Sequence, residues 1–502
     1  MKSIVFAYAV VVFCALAVAQ TKSSEILVIF PTTAQSHYRV VRPLIHRLLD
    51  RGHKILAITN FPDAVERANL SHIDISGLKP HSKFETNNNG IIRSIKRVIG
   101  NTYTYATILN HPTVAKLLRS GRKFDLVIAE FFTSTPIFAP IATVVDAPIV
   151  GFCPMITFPW MNQVMGMETT VSYMPTLLNN STDQMTFLQR ISNTVKSAFI
   201  EVSFNWIYDS VIREIYKNHY GIQTESTIKT MANLSMIMTN DYHSMFLPFP
   251  KPPGIIEVGG IHVVDEKPIP QDLNDFINNA DHGVVLFSLG SVVSEASLGA
   301  DKLCHILDAF SKLKQRVIMK FDAEKNKTQL PANVKIVKWF PQRDLLAHPK
   351  VLLFISHAGI MSVIETIHCG KPMVGIPIFG DQIFNTKLLI EKQVAVTVDY
   401  KHLESNRLFN AINEALTEKY TINMKKLQQL YNDRPHSPLE TAVYWTEYVI
   451  RNKNESKELL KSQKVHLNFY QSNLIDIFAA FLLPLIMAIY IIQRTMKRLR
   501  KH

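Results

Sequence analysis

Short, unbroken apolar runs recur along this chain. Each ends abruptly and is followed by a segment with helical spacing. Ile26–Phe30 is such a run, ended by Pro31, and Val41, Leu44, Ile45, Leu48 and Leu49 then repeat at helical intervals to Asp50. Arg51-Gly52-His53 breaks the pattern before the next run, Lys54–Thr59, and Asp125–Ala129 and Pro148–Phe152 follow. Runs that are apolar at every position are buried on both faces, and alternation with helices is the pattern of a parallel sheet with crossover connections. The same rhythm returns in the second half. Strands are expected at Gly283–Leu289, Arg316–Lys320, Val334–Trp339, Val351–Ser356 and Pro372–Pro377, and helices near Asp301–Leu313 and Met361–His368. Between the halves, residues 246–270 hold Pro248, Pro250, Pro252, Pro253, Pro268 and Pro270, which suits an extended linker. Residues 155–235 lack clear strands and are expected to be helices and loops of the first half. The expected fold class is α/β: two doubly wound domains whose strand carboxyl ends face a cleft, the place where open parallel sheets bind ligands.

The ends of the chain set its compartment. An apolar run at 4–19 behind Lys2 closes with Ala17-Val18-Ala19, the pattern of a cleaved secretory signal, with an uncleaved anchor as the alternative. A second run, residues 474–492, approaches the roughly 20 residues needed to cross about 30 Å of hydrocarbon. Arg494, Lys497, Arg498, Arg500 and Lys501 follow it, and such charge stays on the cytosolic side. The body is therefore expected to be lumenal, with a single C-terminal span. Of the net charge of +13, five units lie in that tail and one in the signal, leaving about +7 for the body. No basic stripe with interleaved aromatics is present, so nucleic acid is not an expected partner. Cys153, Cys304 and Cys369 are too few for a disulfide scaffold and are expected to be core thiols. No metal-ligand spacing appears, so no metal site is expected. Glycosylation sequons at Asn69, Asn179, Asn180, Asn233, Asn326 and Asn454 fit a lumenal body.

One stretch, Phe354–Asn385, carries recognisable ligand chemistry. An apolar strand delivers His357 to its carboxyl end, and Gly359 allows a close backbone approach. Ser362 then falls near the start of a helix, whose free N–H groups and dipole favour a phosphate. Glu365 lies further along that helix and can accept from sugar hydroxyls. A second strand delivers Asp381-Gln382, an acid and an amide side by side, to the same edge. Phosphate and polyol contacts are thus offered together, as a nucleotide-sugar requires.

This pattern resembles the signature of the family GT1 UDP-glycosyltransferases, the UDP-glucuronosyl/UDP-glucosyltransferases. Phe287-Ser288-Leu289-Gly290-Ser291, Trp339-Phe340-Pro341-Gln342 with Leu345 and His348-Pro349, and Val258-Gly259-Gly260 resemble further landmarks in the same order. The signal, C-terminal span and basic tail are similar to the membrane-bound animal branch, and the apolar Ile360-Met361 to its invertebrate members. The resemblance implies a GT-B fold, with a UDP-sugar as co-substrate and no separate cofactor. It implies that Trp339 stacks on uracil beside Gln342, that Ser291, His357 and Ser362 contact the diphosphate, that Glu365 takes the ribose, and that Asp381 and Gln382 take the transferred sugar. Met361 departs from the Asn of many members.

The first half should supply the catalytic base. His37 follows the first strand and occupies the position of the family's base, and an imidazole side chain can take a proton from an acceptor hydroxyl. The family commonly carries Asp at the end of a strand like Phe124–Glu130; here Glu130 stands there, one methylene longer. The implied reaction is inverting transfer of a hexose, most simply glucose, to a hydroxyl of a small lipophilic alcohol or phenol. A UDP-glucuronic acid donor and a membrane-lipid acceptor are the alternatives within the family. Residues Phe152, Met155, Phe158, Trp160, Met161, Met165, Met167 and Tyr173 are candidates to line the acceptor pocket, or else core. A lumenal binding protein for hydrophobic ligands and a structural membrane glycoprotein are the non-enzyme alternatives; failure to release UDP, or to bind it, would mark them.

The implied organisation is a signal peptide (1–19), an acceptor-binding domain (20–245), a linker (246–270), a UDP-sugar-binding domain (271–450), a juxtamembrane segment (451–473), a transmembrane helix (474–493) and a cytosolic tail (494–502). The basic tail resembles endoplasmic-reticulum retrieval signals, which implies a single-pass type I protein of that membrane. A homo-oligomer is left open.

Overall fold

The structure is a computed structural model that describes residues 23–77, 91–176, 181–220, 231, 234–290, 298–321, 329–453 and 455–500. The expected signal peptide, Ser291 and the sequons at Asn179, Asn180, Asn233, Asn326 and Asn454 lie outside the described residues. Asn69 is described: it is exposed in a turn at φ 65°, a conformation Asn tolerates better than most residues.

Among the described residues the strands form two sheets. The first contains β1 (Glu25–Phe30), β2 (Lys54–Thr59), β3 (Leu70–Asp74), β4 (Leu126–Glu130), β5 (Ile149–Cys153), β6 (Leu234–Thr239) and β7 (Ile255–Glu257). The second contains β8 (Val284–Ser288), β9 (Arg316–Lys320), β10 (Val334–Val337), β11 (Val351–Ser356), β12 (Met373–Gly375) and β13 (Ala395–Thr397). Their orders are β3-β2-β1-β4-β5-β6-β7 and β10-β9-β8-β11-β12-β13. Every pairing in both is parallel. In each sheet the winding direction reverses next to its first strand in the chain, between β1 and β4 and between β8 and β11. These are the crevices where doubly wound sheets take ligands.

The continuous apolar runs are explained by two covered faces. Along β1, Leu27 and Ile29 enter one core, while Ile26, Val28 and Phe30 enter another, shared with helix α1 (Gln35–Asp50). The helices that matter below are α2 (Pro159–Val164), α3 (Phe187–Ile207), α4 (Gln342–Ala347), α5 (Ile360–His368), α6 (Gln382–Glu391), α7 (Pro438–Arg451) and α8 (Ile475–Leu499).

Several expectations are corrected. The proline-rich stretch is not only a linker: Ile255–Glu257 pairs with β6 and extends the first sheet. Helix α7 belongs by contact to the first sheet, where Ala442, Val443 and Val449 enter the same core as Val41 and Leu44. Arg51 fixes it through two bonds to Glu447, at 2.6 and 3.0 Å. The second half of the chain thus returns across the first. Strands β3 and β6 were not expected; β3 has only Ile73 fully buried, because it lies at the sheet edge. Of the cysteines, Cys153 is buried, but Cys304 is exposed, because Leu303, Ile306, Leu307 and Phe310 form the inward face of its helix. The apolar run at 474–492 lies in α8, 25 residues long, none of whose apolar length is buried.

Candidate active site

The first crevice is built from the ends of β1 and β4. After Phe30 the chain turns through Pro31–Ala34, and the Asn60 amide at the end of β2 holds this turn by donating to the carbonyls of Pro31 (2.6 Å) and Thr32 (2.9 Å). Helix α1 then begins at Gln35, earlier than the spacing suggested, so His37 sits in its first turn rather than ahead of it. Glu130 closes β4, opposite the end of β1. The two ends bring Nδ1 of His37 within 2.7 Å of Oε1 of Glu130, so the extra methylene is accommodated. Glu130 is only 1% exposed. A carboxylate can only accept, so this contact places an imidazole proton on Nδ1 and leaves Nε2 outside the contact. The ring edge packs on Phe132, 4.9 Å between centroids, and Phe132 packs on Phe158.

Most of the proposed acceptor-pocket residues are instead core. Phe152, Met155, Trp160, Met161, Met165 and Met167 are buried, with Trp160 enclosed by Phe131, Phe204 and Tyr208. Phe158 and Tyr173 are only partly buried. Phe132, which the sequence did not single out, contacts the His37 ring directly.

The second crevice lies between the ends of β8 and β11. Ser288-Leu289-Gly290 leaves one strand and His357 leaves the other. The His357 imidazole fills the gap between two glycines. A Cβ on Gly290 would stand 2.7 Å from Cε1, and one on Gly359 would stand 2.6 Å from Nε2. Gly359 therefore makes room for this side chain. Burial, with the Lys320 cation as a second cause, pushes the His357 pKa down to about 4, so the ring is neutral and donates as a neutral group. A bound diphosphate would oppose both causes. The expected result is a rise in the His357 pKa on adding UDP, followed by NMR titration of the ring; an unchanged value would remove His357 from the phosphate site.

Ala358 adopts φ 60° and is held there: its N–H donates to Ser356 Oγ (3.2 Å) and its carbonyl accepts from Asn385 (3.0 Å). The bond to Ala358 ties α6 to this loop, and Asn385 also donates to Asp381, the residue that caps α6, at 2.7 Å. Burial raises the Asp381 pKa, and His37 across the cleft opposes that rise, which places the two groups within each other's field. Gln382 is buried, and its side-chain oxygen accepts from the N–H groups of Ile378 (2.8 Å) and Phe379 (3.0 Å). That oxygen is engaged within the protein, so only the amide NH2 remains for a ligand.

Gln342, at the start of α4, reaches α5 and donates to Ser362 Oγ (3.2 Å) and Glu365 Oε2 (2.7 Å). Gln342 thus joins two neighbouring residues of a helix some 20 positions further along the chain into one array. Trp339 presents its ring to the cleft, 54% exposed, with the Arg39 guanidinium 5.5 Å above it. Burial raises Glu365 to about 7, against the pull of Gln342, Arg39 and Arg343. Its ordinary value is 4.5. A folded-state pKa above the unfolded one means that the fold loses stability as pH rises from 4.5 through 7, by at most about 3 kcal/mol. Glu365→Gln is expected to recover part of this above pH 7 and to leave stability at pH 4 unchanged, measured by denaturant unfolding at both pH values. The sequence did not single out Arg39, His262 or Lys320. His262 places Nε2 3.8 Å from Glu365, and Lys320 ends β9 with its ammonium 3.4 Å from the Gly290 carbonyl. Arg39, two residues beyond His37 on α1, was the most accessible to sequence reasoning.

The comparisons with known proteins agree with this architecture. The family model described as UDP-glucoronosyl and UDP-glucosyl transferase matches residues 40–501. UDP-glucosyltransferase 2 of Dactylopius coccus is 33% identical over 492 residues, covering 96% of this chain and 94% of that protein. UDP-glucuronosyltransferase 2B1 of Rattus norvegicus is 29% identical and covers 92% of this chain and 91% of that one. Among solved structures, a UDP-glucose: anthocyanidin 3-O-glucosyltransferase in complex with UDP superimposes with a TM-score of 0.58 at 17% identity, over 86% of this chain and 100% of the other. The calicheamicin glycosyltransferase CalG4 gives 0.57 at 16% identity, over 86% of this chain and 99% of the other. These likenesses show the GT-B fold. With two parallel sheets opening on one cleft and a family match along nearly all its length, the chain belongs to the UDP-glucuronosyl and UDP-glucosyl transferase family and is a UDP-glycosyltransferase.

Proposed function

We propose that this enzyme transfers glucose from UDP-glucose to a hydroxyl of a small lipophilic alcohol or phenol, with His37 as general base. The observation that carries the proposal is the 2.7 Å contact of His37 with Glu130 at the crevice of the first sheet, opposite the donor array of the second. Nε2 takes the acceptor O–H proton. The acceptor oxygen attacks the anomeric carbon, the bond from that carbon to the UDP oxygen breaks with its electron pair going to UDP, and the configuration inverts. Glu130 holds the imidazole in the reactive tautomer and stabilises the imidazolium that forms. His357 and the N–H groups at the start of α5 stabilise charge on the departing diphosphate, together with Ser291 by family resemblance. Trp339 and Gln342 hold the uracil, Ser362 the phosphates, Glu365 the ribose, and Asp381 with Gln382 the sugar hydroxyls.

Two observations favour glucose. Asp381 is a half-buried acid assigned here to the sugar hydroxyls, a poor neighbour for a uronate. The Dactylopius coccus glucosyltransferase, at 33% identity, is more similar to this chain than UDP-glucuronosyltransferase 2B1 of the rat, at 29%. A UDP-release assay with UDP-glucose and UDP-glucuronic acid against one phenol tests the donor; faster turnover of the uronate would reverse the assignment. A panel of phenols, steroids and membrane lipids then tests the acceptor class.

The donor site should also respond to pH. A ribose diol donates to a carboxylate, so donor binding favours ionised Glu365. The KM for UDP-glucose is expected to rise as pH falls through about 7 in the wild type, and Glu365→Gln is expected to flatten that dependence. Steady-state KM on either side of pH 7 checks it.

For the body, residues 20–245 would bind acceptor and 271–450 donor, with the return of α7 onto the first sheet as an addition to that division. A signal at 1–19 and a span at α8 would put the catalytic body in the lumen of the endoplasmic reticulum and residues 494–502 in the cytosol.

A further inference from the structure

Helix α3 has two unlike faces. Asn193, Ser197, Ile200, Phe204 and Ile207 are turned inward. At 3.6 residues per turn, Leu188, Ile191, Val195, Phe199, Val202 and Trp206 fall within one sector of roughly 80° on the opposite side, along about 27 Å of helix. All six are exposed, Leu188 by 74% and Trp206 by 60%. A continuous stripe of this size on a water-facing surface signals a partner.

The neighbours of α3 indicate which partner. Near its C-terminal end, Asn205 donates to Gln163 of α2 at 3.0 Å. Met165, just beyond α2, accepts from the Ser462 N–H at 3.2 Å, and Val465 packs so closely on Gly166 that an added Cβ would lie 2.9 Å from it. Lys464 pairs with Glu168 at 3.3 Å, and its charge also acts on Glu201 of α3. The segment that leads into α8 is therefore fastened beside the C-terminal half of α3. Between that fastening and Ile475, the side chains of Leu467, Phe469, Tyr470 and Leu474 are all exposed. Aromatic side chains of this kind concentrate at the lipid–water boundary.

We propose that α3 lies in the interface of the same bilayer that α8 crosses, with Leu188, Ile191, Val195, Phe199, Val202 and Trp206 seated among the acyl chains. An amphipathic helix with an apolar sector and a polar opposite face binds in this way. The inference rests on α8 being the membrane span. Its consequence concerns substrate access. The inner face of α3 stacks Phe204 on Trp160, Trp160 packs on Phe131, and the adjoining Phe132 packs on His37. The lipid-facing helix is thus a few aromatic layers from the base, on the acceptor side.

The test uses the full chain in vesicles of phosphatidylcholine and phosphatidylserine. On a Cys304→Ser, Cys369→Ser background, single cysteines replace Val195, Val202, Ile422 or Ile486 and carry an environment-sensitive fluorophore. Ile422 is exposed on the helix Glu418–Asn432 of the donor half, and Ile486 is at the middle of α8. With nitroxide-bearing lipid, labels at 195, 202 and 486 are expected to lose most of their emission, and the label at 422 to keep it. Quenching at 486 but not at 195 or 202 overturns the proposal while leaving the anchor intact. No quenching at 486 overturns the anchor and the proposal with it. Disulfide-linked pairs of unlabelled Val202→Cys chains, without quenching at 202, would assign the stripe to a second copy and overturn the lipid seat. As an independent arm, Val195→Glu with Val202→Glu is expected to slow transfer to acceptors dissolved in the bilayer and to leave transfer to water-soluble acceptors unchanged; equal loss on both would count against the proposal.

Discussion

His37→Ala should lower the rate of sugar transfer by about a thousandfold, the span typical of a lost general base, with the affinity for UDP unchanged. The residues assigned to UDP lie on the second sheet and its helices, while His37 reaches the cleft from the first turn of α1. Removing its ring therefore takes away the proton acceptor and leaves the donor array in place. The loss should fall on kcat, with little change in the KM for UDP-glucose, and isothermal titration with UDP checks the second half. Transfer within a few-fold of wild type would show that another group takes the proton. The alanine variant leaves the buried Glu130 carboxylate without its imidazole, and breaking a buried pair is costly. His37→Gln keeps a donor toward Glu130 and serves where the alanine variant unfolds; it should be equally inactive, because an amide is no base.

Glu130→Gln is expected to reduce kcat by up to about 10⁴, the drop seen when the acid of such a relay is replaced by its amide. The substitution preserves shape and burial. An amide can donate as well as accept, so the imidazole is free to present its proton, rather than its lone pair, to the acceptor. UDP affinity should again be unaffected. Glu130→Asp tests the length of the arm. The 2.7 Å contact is reached by a side chain one methylene longer than the family's usual acid, and shortening it opens a gap that β4, held between β1 and β5, cannot close by shifting. A loss of about tenfold in kcat is expected, consistent with a misplaced but chemically intact partner. Full activity in Glu130→Asp would mean that the backbone adjusts freely; full activity in Glu130→Gln would remove Glu130 from the mechanism.

The part of the candidate site on the second sheet was the more legible in sequence because it is largely local. His357, Gly359, Ser362 and Glu365 follow one strand within a few residues, and a strand-to-helix turn fixes their edge whatever surrounds it. Even here the sequence could not see that Gly290 and Gly359 both make room for the same imidazole, or that Gln342 joins Ser362 and Glu365. It also could not see that the Gln382 oxygen is spent on the Ile378–Phe379 backbone. Those are contacts between segments, and periodicity carries no record of them. The methionine- and aromatic-rich stretch after β5 misled for a related reason: apolar side chains look alike in a core and in a pocket, and only the packing of α2 and α3 sends Trp160, Met161 and Met165 inward.

By itself the sequence determined two parallel sheets with their helices, the strand-to-helix turn after β11 and the apolar helix at the C-terminus. Each of these depends on residue type and spacing over a window of some twenty residues. The tertiary structure alone decided that residues 37 and 130, 93 positions apart, meet at 2.7 Å. It also decided that α7 crosses back to the first sheet, that Ile255–Glu257 is a strand within a proline-rich stretch, and that the stripe on α3 faces outward beside the segment leading to α8. The physical reason is common to all of them. Local propensity and hydrophobic period act along the chain, whereas these features arise where the reversal of strand order and the closing of the core bring distant segments into contact.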